Sequence, residues 1–300
     1  MTALFELLGR ALLRVLSPLP LQLLRRVGRG LGELLARLDT EIKRVADINL
    51  KRCFPHLSPA DHAQLLSETI KQSAMLAAEL PFLWSARSSE RWRSAIEEIH
   101  GEHLLQRHRS DNSGLLILVP HIGNWEFLSL YLADYRITAT YSPLRSPVAD
   151  RLLSALRSNR GTRMVPIGVS GIRSIYRALQ GGSAAVLLPD QVPERSAGIY
   201  ASFFNHPALT MTLAFRLAAS TGADVVLGAC FRSERGFRLE FRGLDGFPVP
   251  HDDEVNARKL NQAIEELIQR YPPQYQWSYK RFKRQPKGSP DIYRPGSRRP

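Results

Sequence analysis

The sequence predicts an α/β fold: a central, mostly parallel or mixed sheet flanked by helices, with a helical region at the N-terminus. Three observations point there. Residues 1–100 carry helical signals, whereas from residue 114 short apolar runs of strand length alternate with segments of helical periodicity. That alternation continues to about residue 270 with no internal repeat. The chain, 300 residues with 44% hydrophobic and 23% charged residues, also has the apolar material for a large core. This excludes a disordered tail, a collagen-like fibre and a small disulfide scaffold.

The elements follow in order. Ser58-Pro59-Ala60-Asp61 opens a helix, with Ser58 as cap and Pro59 suited to the first helical position. It runs through Leu65, Leu66, Ile70 and Leu76 to about Leu80, where Pro81 is expected to stop it. Leu115 to Val119, bounded by Gly114 and Pro120, reads as a buried strand. Trp125–Tyr135 reads as a helix, Ile137–Tyr141 as a strand, 148–158 as a helix and Arg163–Ile167 as a strand. Ser170 caps a helix that places Ile172, Ile175, Tyr176 and Leu179 on one face and ends at Gly181. Ala184–Leu188 is the next strand, and 209–221 a helix that is apolar almost all round. Asp224–Cys230 and Phe237–Phe241 form a last pair of strands, and 254–270 a last helix facing the core with Leu260, Ile264, Leu267 and Ile268.

Charge narrows the class of partner. Lys plus Arg is 41 and Asp plus Glu is 28, a net +13, so an anionic partner is expected: nucleic acid, membrane headgroups or a phosphorylated substrate. Residues 3–37 are leucine-rich and punctuated by Arg10, Arg14, Arg25, Arg26, Arg29 and Arg37. That is the composition of a helix lying in a membrane interface, its basic heads snorkelling to phosphates. No stretch there is long enough to span, because only Val15 to Leu24 separates Arg14 from Arg25 and that run holds Pro18 and Pro20. The chain thus divides into an N-terminal membrane-associating region (1–40), a main domain (41–285) and a basic tail (286–300) rich in Pro, Gly and Ser that is expected to be disordered.

The sharpest local feature is Pro120-His121-Ile122-Gly123-Asn124-Trp125-Glu126. A strand ends at Pro120 and a helix begins near Asn124, so His121 and Glu126 stand at the carboxyl edge of the sheet, where α/β proteins bind ligands. The Glu126 carboxylate is expected to hold one imidazole nitrogen, leaving the other to take a proton from an alcohol. Gly123 allows close backbone approach. His100, His103 and His108 lack the partners of a metal site, Cys53 and Cys230 are too few for a disulfide framework, and no nucleophile elbow, phosphate loop or dinucleotide fingerprint occurs. No metal or organic cofactor is expected.

His121 and Glu126, with four residues between them, are similar to the H-x4-D/E signature of glycerolipid and lipid A acyltransferases, and the string from Pro120 to Glu126 resembles the late acyltransferases of lipid A biosynthesis. Five further segments resemble that family in the right order: Asn49 to Pro55, Tyr141-Ser142-Pro143, Arg157 to Gly161, the series Pro189-Asp190-Gln191, Phe203-Phe204-Asn205 and Thr210, and Gln276 to Lys283. Ser278-Tyr279-Lys280 departs from the family's His-Arg pair.

The resemblance implies a glycerolipid-acyltransferase-like fold and transfer of a fatty acyl group from an acyl carrier protein thioester to a hydroxyl of a lipid A precursor. His121 would be general base and Glu126 its orienting partner, with direct attack and no acyl-enzyme. Arg157 would stabilise the oxyanion or bind an acceptor phosphate, with Asn124 or the backbone at Gly123 as alternatives, and Asp190 and Arg160 in support. The expected site of action is the cytoplasmic face of the cell inner membrane, on an anionic leaflet. A glycerolipid or amino-acid lipid acceptor is the alternative within the class. The rival of another class, a non-catalytic basic protein docking on membrane or nucleic acid, gives no reason for a histidine and a glutamate at that junction, so nucleic acid is not expected as a partner.

Overall fold

The computed structural model describes residues 2–85, 90–111, 113–141, 146, 150–151 and 161–294. The N-terminal third is helical: α1 (Thr2–Leu16), α2 (Leu21–Arg37), α3 (Glu41–Cys53) and α4 (Pro59–Ser85). α4 passes through Pro81 rather than stopping there. The ring forfeits one main-chain bond, but Phe82 and Leu83 beyond it are buried, and that packing outweighs the loss. Among the described residues no helix is long and apolar enough to cross a membrane.

The sheet has seven strands in the order β1-β9-β8-β2-β5-β3-β4. β2 (Leu115–Leu118), β3 (Thr138–Tyr141), β4 (Arg163–Pro166), β5 (Ala184–Leu187) and β8 (Asp224–Arg232) run parallel. β9 (Phe237–Gly243) returns antiparallel to β8, and β1 (Ile96–His100) lies parallel to β9 at the edge. β1 corrects the expectation that residues 1–100 are helical throughout. Its charged, half-exposed Ile-Glu-Glu-Ile-His carries too little apolar signal to read as a strand in isolation.

Helices cover both faces. Leu116 and Leu118 point into one core layer, with α3, α4 and the helices Val169–Gln180, Leu213–Thr221 and Asp253–Arg270. Leu115 and Ile117 point into the other, with α2, the end of α4, α5 (His103–Asp111) and α6 (Trp125–Leu132). β2 is buried on both sides along its whole length, as a central parallel strand must be.

The helix expected over 209–221 is two elements. Leu209–Met211 belongs to β7 (His206–Met211), which pairs antiparallel with β6 (Gly198–Phe203), and the helix starts at Leu213. The turn between them is Phe204-Asn205, both at positive φ. The helix expected to be capped by Ser170 begins two residues earlier, at Val169, with Gly168 at the cap position. The 148–158 helix falls almost wholly outside the described residues. Within the stretch 286–294, Tyr293 is buried, its hydroxyl donating to Asn49 Oδ1 and accepting from Phe282 N–H.

Candidate active site

The register of β2 against β5 sets the site. Leu118 stands opposite Leu187, and the Val119 N–H continues the ladder to the Leu187 carbonyl. Carried on by three residues, the same offset sets His121 opposite Asp190. Two neighbouring parallel strands thus deliver a histidine and an aspartate to one point beyond their carboxyl ends.

The contact is double. His121 Nδ1 lies 2.7 Å from Asp190 Oδ1, and the His121 main-chain N–H donates to Asp190 Oδ2 at 2.8 Å. Burial pushes the Asp190 carboxyl up, but the charge and hydrogen bonds of His121 outweigh it and hold the group below the usual carboxylate range. With Nδ1 facing a carboxylate, Nε2 is the ring nitrogen left for other partners. Gln191 sets its amide 3.1 Å from Nε2, and the Trp125 ring stands edge-on to the imidazole at 5.0 Å. Tyr275 is buried behind Asp190. Burial and that carboxylate both push its phenol well above the ordinary value.

The carboxylate on the imidazole is therefore Asp190, where the sequence pointed to Glu126. Glu126 is buried in the first turn of α6. The turn between His121 and α6 is closely tied. Gly123 is at φ +63, its N–H donating to the Gln274 carbonyl, and the Asn124 N–H donates to Cys230. A Cβ on Gly123 would fall 1.9 Å from the Cys230 oxygen. Asn124 caps α6 through Oδ1, which accepts from Phe127 N–H at 2.8 Å, and its amide donates to Glu79 Oε2 at 2.7 Å. Asn124 and the Gly123 amide thus each have a partner within the protein. Arg157 and Arg160 lie outside the described residues.

Motif segments far apart in sequence meet behind this turn. The Gln276 N–H donates to the His121 carbonyl, and Asn49 Nδ2 bonds the carbonyls of Trp277 and Tyr279. The Tyr279 hydroxyl accepts from Val192 N–H, just past Gln191. Arg281, in the Gln276–Lys283 segment, is buried on the Leu209 carbonyl and Thr210 Oγ1. Arg25 also turns inward, to Glu79, instead of outward to lipid phosphates. The sequence did not single out Glu79; its one signal was an acid in the otherwise apolar run from Ala74 to Phe82.

A carboxylate-held histidine thus stands beyond the carboxyl ends of a parallel sheet. Comparison with known proteins gives the class: residues 1–284 match the family model for bacterial lipid A biosynthesis acyltransferase. The chain belongs to that family, and it is an acyltransferase of lipid A biosynthesis. It is 26% identical to the lipid A biosynthesis lauroyltransferase of Escherichia coli K12, over 95% of this chain and 94% of that protein. It is 27% identical to the myristoyltransferase of the same organism, over 91% and 83%. Among solved structures, the 1-acyl-sn-glycerophosphate acyltransferase PlsC from Thermotoga maritima aligns over 74% of this chain and 85% of its own at 12% identity, with a TM-score of 0.35.

Proposed function

We propose that the protein moves a fatty acyl group from an acyl carrier protein thioester to a hydroxyl of a lipid A precursor, with His121 as general base. The observation that carries this is the Nδ1 contact of His121 with Asp190 at 2.7 Å. It fixes the tautomer whose Nε2 accepts a proton. Nε2 takes the acceptor's hydroxyl proton as its oxygen attacks the thioester carbonyl. The tetrahedral intermediate collapses with cleavage of the carbon–sulfur bond, and the imidazolium returns the proton to the leaving sulfur.

Direct attack fits the thiols present. Cys53 and Cys230 are both buried, and burial pushes both far above the ordinary thiol value, so neither is a nucleophile. Arg157 remains the residue proposed for the oxyanion or an acceptor phosphate, with Arg160 in support. Glu126 is retained as the second acid of the junction, with Asp190 as the group that holds the imidazole.

The seat of the reaction is a membrane surface, proposed here as the cytoplasmic face of the inner membrane. α2 buries Leu21, Leu24, Gly28 and Gly32 and turns Leu23, Val27, Leu31, Leu34 and Leu38 to solvent, with Ile42 continuing the stripe on α3. An apolar face of that length, flanked by Arg26, Arg29 and Arg37, suits an anionic bilayer interface. The test is to give the protein acyl carrier protein thioesters and a lipid A precursor in mixed micelles and read product masses. Wild type acylates the precursor and H121A does not; turnover by H121A at the wild-type rate removes His121 from the mechanism.

A further inference from the structure

Glu79 of α4 is fully buried and gathers partners from three other parts of the chain. Arg25 Nε of α2 donates to Oε1 at 2.7 Å, Arg232 Nε at the end of β8 donates to both oxygens at 3.1 and 2.9 Å, and Asn124 Nδ2 donates to Oε2 at 2.7 Å. Arg232 Nη2 also stands 2.9 Å from Oε2, at an angle that makes it a charge contact and not a hydrogen bond. Beyond the carboxylate, Arg25 reaches the carbonyls of Ser233 and Gly236. The Arg232 N–H donates to Gln274 Oε1, on the segment that receives the Gly123 amide.

Stability alone gives no reason to keep three charged groups there, because a buried ion cluster replaced by apolar side chains is often as stable or more so. Nor does capping: a serine or aspartate would close α6 as well as asparagine does. The Asn124 amide has one use, its bond to Glu79, and Asn124 fixes where α6 begins, just past His121.

We propose that Glu79 is a positioning residue for acyl transfer. By gripping Asn124 it holds the His121 turn in register with Asp190, and through Arg25 it fastens that turn to α2, the helix that carries the exposed apolar face. The proposal rests on His121 being the general base. A displacement of about 1 Å at a reacting group is enough for a rate loss on the order of a hundredfold.

The test uses N124S, E79Q, the exchange variant E79Q/N124D, and H121A. Serine keeps an oxygen for the Phe127 N–H and deletes only the amide. The exchange lets amide and carboxylate trade places across the same hydrogen bond, with the net charge unchanged. Expected are a fall in kcat of about tenfold or more for N124S and E79Q, KM for donor and acceptor unchanged, an N124S that is lowered in melting temperature but folded at the assay temperature, and recovery of most of the rate in the exchange. N124S with the wild-type kcat overturns the proposal, as does a folded exchange variant with no recovery. If the exchange does not fold, N124S decides alone. Loss of activity in H121A beside a fully active N124S removes Glu79 from the mechanism but leaves the base in place; an active H121A removes the base instead.

Discussion

Asp190 holds His121 at both ends of one residue, the ring through Nδ1 at 2.7 Å and the backbone through N–H at 2.8 Å, across 69 positions of sequence. A carboxylate with a grip on both ring and main chain fixes the ring's direction as well as its tautomer. Glu126, five positions after His121, lies buried in the first turn of α6.

The first prediction separates these two acids. D190N is expected to lower kcat by about a hundredfold to ten-thousandfold, because an amide in that position no longer enforces the tautomer with Nε2 unprotonated. E126Q is expected to keep more of the rate than D190N. Measuring kcat for the three proteins checks this, and a larger loss in E126Q than in D190N returns the orienting role to Glu126.

A second prediction concerns acid stability. Asp190 is held below its ordinary value of 3.8, with the His121 donors outweighing burial. A depressed carboxyl contributes stability that is present above the unfolded-state value and lost as pH falls through the folded one. The wild-type unfolding midpoint in urea is therefore expected to fall more steeply below about pH 4 than that of D190N. At neutral pH the order is reversed in magnitude, with D190N the less stable protein. Equal slopes for the two proteins across the acid range count against the pair as drawn.

The third prediction tests the tightness of the turn. G123A must place a methyl 1.9 Å from the Cys230 carbonyl oxygen at φ +63. The expected loss is on the order of 2–4 kcal/mol, read from the denaturant midpoint. Gly30, on the exposed side of α2 with open space around it, is the control: G30A is expected to stabilise by about 0.5–1 kcal/mol, because alanine is the better helix former.

Much of this was legible in the sequence, and the limits have physical causes. Leu115–Val119 declared itself because a strand buried on both faces is apolar at every position. The end of that strand then put His121 at the sheet's carboxyl edge. What no local pattern supplies is which strand lies beside it. The pairing of β2 with β5 is a tertiary choice, and without it Asp190 reads as an ordinary loop acid after Leu187, while Glu126 looks nearer because it is nearer in sequence. β1 was hidden by its own chemistry, since an edge strand with two glutamates resembles a solvated turn. Pro81 misled in the opposite direction, a strong local stop overridden by the burial of Phe82 and Leu83.

Arginines and leucines illustrate the same limit at the N-terminus. Composition placed residues 3–37 at a membrane interface but could not sort their side chains. Arg25 points into the protein to Glu79, and Leu21 and Leu24 are core residues. Gly28 and Gly32 let α2 lie close on α4, since a Cβ on Gly28 would stand 2.8 Å from Ala78 Cβ and one on Gly32 2.5 Å from Lys71 Cα. The apolar face left exposed is therefore narrower than the leucine count suggests, and it is defined by the fold.

That sorting gives the last prediction. Val27, Leu31 and Leu34 are each more than half exposed on α2, so V27S/L31S/L34S removes apolar surface without opening a cavity, and its melting temperature is expected to match wild type. Binding to vesicles of mixed anionic and zwitterionic lipid is expected to weaken on the order of a hundredfold, since interfacial affinity scales with the apolar area inserted. Affinity in the variant still rises with anionic lipid and falls with salt, because the exposed Arg26 and Arg37 are untouched and each adds about 1 kcal/mol near a charged surface. Turnover of an acceptor dispersed in detergent stays near wild type, while turnover of the same acceptor in vesicles drops with binding. Vesicle flotation paired with the two assays separates the outcomes. Undiminished flotation of the triple variant takes the membrane away from this face of α2, and a matching loss in detergent shows that the face serves the site itself.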